Sequence, residues 1–331
     1  MALWTANGSN QTITGFNFSP DFVWAKCRST GTTPHLWADV VRGASQILYS
    51  HSSDTEQDYS GIGGVISSFN SDGFDTGSNS DIATNSRTFV GWAWDGGTST
   101  VSNSDGNVTS QVRANASSGF SIVTWTGTAN ATVGHGLNAA PQLVITKSRD
   151  NSVSWRIWSA EFSNATANYL GFDNAAVGTF GGTYWGSMTS TTFGLGAGTY
   201  DNNVGSMVAY CFAPVEGFSA FGVYEGNASS DGPFVYTGFR PSWIMHKRTD
   251  TGGANVGDWR IWDVKRDIDN AAEEILFPNT SGAGSSNAAH AVDILSNGFK
   301  FRTSDSNINP SGGTIIYAAF AEHPLKTARA R

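Results

Sequence analysis

Apolar residues fall in short runs of about five to eight positions separated by Gly, Asn, Asp and Ser, the pattern of strands joined by turns. Trp155 and Ile157 alternate with Arg156 and Trp158, and Trp259 to Trp262 repeats the pattern. Alternation sends each pair to an opposite face of a strand. A strand apolar at three of four positions is covered on both faces over part of its length. Arg156 and Arg260 then need partners, for which Glu161 and Asp263 are candidates. Asp72-Gly73, Asp231-Gly232 and Asn297-Gly298 supply positive φ at little steric cost. One segment argues for a helix, Asp267 to Leu276, with capping and acidic residues at its start. Val41 to Tyr49, its counterpart earlier in the chain, reads as a turn or one short helix and then a strand.

The runs repeat. Three openings carry a glycine turn, a proline and an apolar strand ending in a basic residue: Gly15 to Lys26 with Pro20, Gly136 to Lys147 with Pro141, and Gly238 to Lys247 with Pro241. Each is followed by a Trp-containing strand: His35 to Asp39, Trp155 to Ser159 and Trp259 to Asp263. Each module closes on an apolar strand, Thr88 to Trp94, Ser206 to Ala213 and Thr314 to Ala321. Modules of roughly 100 residues are each large enough to fold alone, unlike solenoid repeats. We therefore expect an all-β chain of three tandem antiparallel β-sandwich modules, of jelly-roll or lectin-like kind. Module 1 spans 1–97, module 2 119–213 and module 3 217–324, with a basic tail at 325–331. Residues 98–118 show no periodicity and read as a linker or arm. The short joint Pro214-Val215-Glu216 predicts rigid packing of modules 2 and 3, with module 1 free to move.

Composition narrows the function. Only 14% of the 331 residues are charged, while glycine numbers 39 and aromatics make up 12%. That suits a turn-rich β protein. The net charge of −8 and the lack of a basic patch exclude nucleic acid as the expected partner. No apolar run is long enough to span a membrane. No signal peptide precedes the first module, and Cys27 and Cys211 read as reduced core thiols.

Catalytic and metal motifs are not evident. The six histidines lack close metal-ligand spacing, and His135 reads as a surface turn residue. Glu273-Glu274 is the one adjacent glutamate pair, and no strand presents the paired carboxylates of a glycosidase. Asn70 to Asp75 with Asp81 gathers oxygen ligands of the kind Ca²⁺ takes, but modules 2 and 3 lose these acids. A solvated turn is the better reading of Asp72, Asp75 and Asp81. No cofactor is expected. Trp24, Trp37, Trp92, Trp94, Trp158, Trp243 and Trp262 fall on repeat strands and read as core. Tyr184 and Trp185 lie in a Gly-rich loop outside the repeat, and are the candidate exposed contact residues.

The run from Gly15 to Arg28, the Val41-Arg42-Gly43 turn and Ser68 to Phe74 resemble a family of structural proteins of marine tailed bacteriophages. Glu216 to Ser219 and Ala318 to Pro324 resemble that family's second joint and C-terminus. One departure is Gly91-Trp92-Ala93-Trp94 where relatives show Ala-Trp-Cys-Trp. The resemblance covers essentially the whole chain. It implies a non-enzymatic virion protein, made in the bacterial cytoplasm, in a tail fibre, spike or other surface appendage with host attachment as one role. A head-decorating, capsid-bracing protein is the alternative, and a carbohydrate-binding or carbohydrate-active module the second alternative. Its partners would be copies of itself, a trimer among the arrangements, other virion proteins and host-surface carbohydrate.

Overall fold

The computed structural model describes all residues except 32, 62, 173–176, 197–204, 251–256 and 323–331. The strand after each proline is central to an antiparallel sheet. Phe22–Cys27 lies between Thr88–Trp94 and His35–Asp39. Leu143–Ser148 lies between Ser206–Phe212 and Arg156–Ser159, and Trp243–Arg248 between Thr314–Phe320 and Arg260–Asp263. The register is the same each time. Two residues past the proline stand Phe22, Leu143 and Trp243, opposite Trp94, Phe212 and Phe320 on one side and Asp39, Ser159 and Asp263 on the other.

A smaller sheet of three strands accompanies each large one. In module 1 it contributes Ile13, Ile66 and Phe74, which pack with Val23, Ala25, Ile47 and Phe89 of the large sheet. In module 3 Val235, Ile294 and Phe299 pack with Ile244, Trp262 and Ile315. These are the sandwich cores expected from alternation.

The other face of each large sheet is apolar too. Phe22, Trp24, Trp37, Trp92 and Trp94 of module 1 join Phe120, Ile145, Ile157, Tyr210 and Phe212 of module 2 and Trp243, Met245, Ile261 and Phe320 of module 3 in one cluster. Trp94, Phe212 and Phe320 occupy the same register position and form a triangle, with ring centroids 5.7 to 6.2 Å apart. In modules 1 and 3 the post-proline strand therefore alternates between two cores, with Trp24 and Met245 on the common one and Val23 and Ile244 on the module's own. All seven repeat-strand tryptophans are buried, and most of them face other modules. Burying each such side chain stabilises by about 1.5–3 kcal/mol.

Three expectations change here. Module 1 is locked into this common core rather than free to move. Residues 98–118 are not a linker: Thr100–Asn103 and Ser110–Asn115 pair with each other and with Phe120–Thr126, extending the module 2 sheet. Their apolar residues are too few to show a period, and only Val112 is buried in the core. Finally, Asp267 to Leu276 is not a helix. Asp267 turns its carboxylate back to accept from the Glu273 and Glu274 amides, both at 2.6 Å, and Glu274–Ile275 pairs as a short strand. Acidic residues that bind nearby amides compete with helix formation.

Polar groups follow the same cyclic order, module 1 against 2 and module 3 against 1. Asp39 caps the Val41 and Arg42 amides, binds Arg42 Nε at 2.5 Å, and accepts from the Tyr210 hydroxyl of module 2 at 2.8 Å. Arg42 continues to Glu56 at 2.7 Å, and Glu56 to Arg149 of module 2 at 2.5 Å. Module 3 repeats the relay. Asp263 caps Lys265 and Arg266, binds Arg266 Nε at 2.6 Å, and accepts from Trp92 Nε1 of module 1 at 3.0 Å. Glu274 lies 3.7 Å from Arg266 and 3.2 Å from Arg28 of module 1. Asp263 thus serves Arg266, not Arg260, whose guanidinium stands over Phe277 at 5.7 Å. Between modules 2 and 3 the corresponding positions are Ser159, Phe162 and Ala318, which carry no ion pair, and Trp259 Nε1 donates to the Gly171 carbonyl at 2.9 Å.

Two substitutions test this arrangement. Phe212→Ala should cost about 3–5 kcal/mol, as a large aromatic loss in a packed core, and denaturant unfolding should remain one transition for all three modules. Separate transitions would show independently folding modules. Arg42→Ala should cost about 3–5 kcal/mol in chemical denaturation, because it leaves the Asp39 carboxylate buried without its cation. A loss near zero would remove the relay from the stability of the fold.

Candidate functional site

A cleft of about 550 Å³ opens at one end of the common core. That size falls within the range of small-molecule sites. Its floor is Trp92, Trp94, Trp243 and Phe320, placed there by the closing strands of modules 1 and 3 and the post-proline strand of module 3. One wall is the loop Gly15 to Phe18. The opposite walls come from the hairpin turn between Ser110–Asn115 and Phe120–Thr126, with Asn115, Ser117 and Ser118, and from the joint into module 3, with Val215, Glu216 and Phe218. The cleft therefore exists only when all three modules are assembled.

Each wall is fixed by local bonds. Asn17 has φ of 63° and Gly15 of 94°, a conformation the Asn and Gly side chains tolerate. Asp72 holds this loop by accepting from the Gly15 amide at 3.1 Å and the Asn17 amide at 2.6 Å. Asn115 Oδ1 accepts from the Ser117 and Ser118 amides. Ser118 Oγ donates to the Asp95 carbonyl at 3.0 Å, tying this hairpin turn to module 1. Below the wall Asp21 pairs with Arg113 at 2.6 Å and accepts from the Gly96 amide. Burial lifts the Asp21 carboxyl above its ordinary range, against the pull of Arg113. The cleft rim carries Asp95, Glu216 and Glu322 against Lys265, an acidic balance.

The residues singled out by sequence lie elsewhere. Tyr184 and Trp185 are not exposed contacts: both are buried. Trp185–Met188 pairs with Thr192–Leu195, and a Cβ on Gly194 would come within 2.7 Å of the Gly186 backbone. The glycines thus permit close strand approach instead of forming an open tip. Tyr184 packs on Tyr169 and Trp185, with Arg156 above Tyr169 at 4.5 Å. Asp72 is a loop clasp rather than a solvated turn, and Asp75 accepts from Ser68 and Asn70 side chains. Asp81 lies in the single helical turn Ser80–Ala83, where its amide donates to the capping Asn79 side chain. Cys27 and Cys211 are both free and buried. The cleft residues escaped notice because they come from distant segments and share no motif. The only signal was the run of aromatics at strand ends.

Histidine is used for structure. His135 is buried, not a surface residue, and its Nδ1 accepts from the Leu137 amide at 3.2 Å. His35 Nδ1 accepts from Trp24 Nε1 at 2.8 Å, so its proton sits on Nε2. His246 Nδ1 meets the Tyr224 hydroxyl at 2.9 Å, and that hydroxyl donates to the Ile308 carbonyl. Burial pulls both imidazoles well below their usual value of 6.5. A depressed histidine binds fewer protons in the fold than in the unfolded chain. Stability is then complete above 6.5 and falls as the unfolded chain takes up protons below it. The denaturation midpoint should drop between pH 6.5 and about 5, and His246→Gln should flatten that slope. A flat profile in the native chain would contradict the buried neutral state. Asp21 and Asp81, with raised carboxyls, act in the opposite sense, adding stability as the pH falls through their folded values toward 3.8.

None of the curated proteins matches this chain. The family model described as Domain of unknown function (DUF7483) matches residues 1–324. That span takes in all three modules, both connections and the residues lining the cleft up to Glu322. The chain belongs to the DUF7483 family.

Proposed function

We propose that this chain is a non-enzymatic structural protein of a tailed-bacteriophage virion, built into a tail fibre, spike or other surface appendage, with host-surface attachment as its added capacity. The observation that carries the reading is where the chain spends its polar chemistry. The buried acids and bases of modules 1 and 3 close two relays between modules, and Lys26 and Lys147 donate to backbone carbonyls of a neighbouring module, Ser281 and Ser53. A charge used in this way holds a shape; it is not poised to transfer a proton. The motif resemblance of Gly15 to Arg28 and Ala318 to Pro324 supplies the virion context.

Aromatic, ionic and backbone contacts all cross module boundaries, so a single chain forms a rigid three-module block. Such a block suits a part that is copied many times and must not deform. Assembly with copies of itself and with other virion proteins follows from this role, through surfaces other than Tyr184 and Trp185.

Immunogold labelling and a cryo-electron-microscopy map of purified particles test the proposal. The three-module block should appear in a tail appendage at a fixed copy number. Its presence on the head would replace the appendage reading with capsid bracing. Its absence from particles would overturn the virion assignment.

A further inference from the structure

We infer that the outer strand of module 3, Ser219–Glu225, is an interface between two copies of this chain, each adding its own strand antiparallel to the other's about a twofold axis at Gly222. The inference rests on the reading above only in that copies of the chain assemble; the edge itself is read from the fold.

Ser219–Glu225 is the end strand of its sheet and pairs on one side, with Thr314–Phe320. The Ala321 amide donates to the Phe218 carbonyl at 2.7 Å and the Gly226 amide to the Gly313 carbonyl at 2.9 Å. The direction of backbone bonding alternates along an antiparallel strand. The even-numbered residues therefore bond to Thr314–Phe320, and the amides and carbonyls of Phe221, Val223 and Glu225 point outward. Among the described residues these groups meet no partner. An open edge is a template for another strand, and charge, proline or a bulge usually protects it. Here seven residues carry no Lys, Arg, Pro or bulge, and Val223 is 43% exposed.

Module 2 shows what such a place holds. Its equivalent strand is Phe120–Thr126, since Phe120 pairs with Phe212 as Ser219 pairs with Phe320. On that outer edge Ser110–Asn115 bonds antiparallel, and Thr100–Asn103 lies beyond it. Two further strands thus fit past this edge, beside the neighbouring module. The joint ahead of module 3, Pro214-Val215-Glu216, contains no such hairpin.

The chemistry beside the edge selects the occupant. In module 2, Arg113 of the covering strand stands opposite Ile122 and pairs with Asp21 of module 1 at 2.6 Å. In module 3, Phe221 takes the place of Ile122. Gln142 of module 2, next after Pro141, takes the place of Asp21 and lines one crevice with Phe221. The carboxylate that received an arginine is gone, so the residue arriving opposite Phe221 is best uncharged. A twofold axis at Gly222 brings Val223 of the second copy to that position, and Phe221 of the second copy opposite Val223. Each pair exchanges two backbone hydrogen bonds, and Gly222 meets Gly222 at the closer spacing between them. Glu225 falls opposite Ser219, so no like charges face each other. The strand is therefore self-complementary, as an isologous contact requires, and main-chain bonds supply the affinity.

The test uses the purified intact chain, sedimentation and hydrogen exchange read by mass spectrometry. The chain should dimerise at or below about 100 μM, and protection of the Phe221 and Val223 amides should rise with concentration. Val223→Pro removes an amide that bonds nothing within the chain, a position where an edge strand tolerates proline. It should keep the thermal midpoint and weaken dimerisation by at least about tenfold. Val223→Lys, which sets a charge opposite Phe221, should do the same and serves if the proline variant fails to fold. Leu3→Pro, on the outer strand of module 1 where Leu3 is 40% exposed, should leave dimerisation unchanged. A monomer at every concentration, undiminished dimerisation by a folded Val223 variant, or concentration-dependent protection at Ala2–Thr5 alone would each overturn the inference. Particle labelling reads location in the virion and this assay uses the chain alone, so either proposal can fail without the other.

Discussion

Burial of the inner faces of three sheets against one another is the constraint on which the rest of this structure depends. Each large sheet is apolar on both sides, so a module that folded alone would leave Trp24, Trp92 and Trp94, or their counterparts, in water. Closing the three sheets on a common core removes that exposure. At the end of the core, Trp94, Phe212 and Phe320 meet in a triangle. The residues are not identical, but the shared register brings a large aromatic from each module to the same place. Aromatic rings tolerate such substitution because edge and tilted contacts are all favourable.

The common core also forces polar groups into the interior. A buried carboxylate such as Asp39 or Asp263 is tenable only with a cation and several donors around it. Both sites meet that demand in the same way, using two backbone amides, one arginine and one donor from the adjacent module. Tyr210 and Trp92 fill the last place with different chemistry at the same register position. The contact between modules 2 and 3 lacks this arrangement, with Ser159 and Phe162 in place of the carboxylate and arginine, and uses the Trp259 indole on the Gly171 carbonyl. These two modules are joined by the very short Pro214-Val215-Glu216 connection, which positions them without an ionic relay. Short connections restrict the unfolded chain and reduce the entropy that interface contacts must offset.

The cleft follows from the same geometry. Where the aromatic triangle reaches the surface, no fourth sheet covers it. The hairpin turn at Asn115 to Ser118, the joint into module 3 and the Gly15 to Phe18 loop surround the opening, and Asp72 fixes that loop. A mutation in the core would therefore reach the cleft without touching its lining. The sequence-selected loop at Tyr184 and Trp185 is, by contrast, part of a module's own packing.

The all-β class, the antiparallel sandwiches and the register around Pro20, Pro141 and Pro241 were legible in the sequence, because strand alternation and turn residues are local signals. The opposed faces of Trp155 to Trp158 and the burial of the repeat tryptophans were legible for the same reason. What those tryptophans pack against was not. A period of two says that a strand has two apolar faces, but not that one of them meets a different module. The strands at Thr100–Asn103 and Ser110–Asn115 were hidden because few of their residues are apolar and buried, so they carry little apolar period. Asp267 to Leu276 looked helical because capping residues also make turns, and the choice went to Glu274 by way of Arg28 and Arg266 from distant parts of the chain. The cleft belonged wholly to tertiary structure, since a pocket assembled from eight separated segments has no periodicity, spacing or motif along the chain.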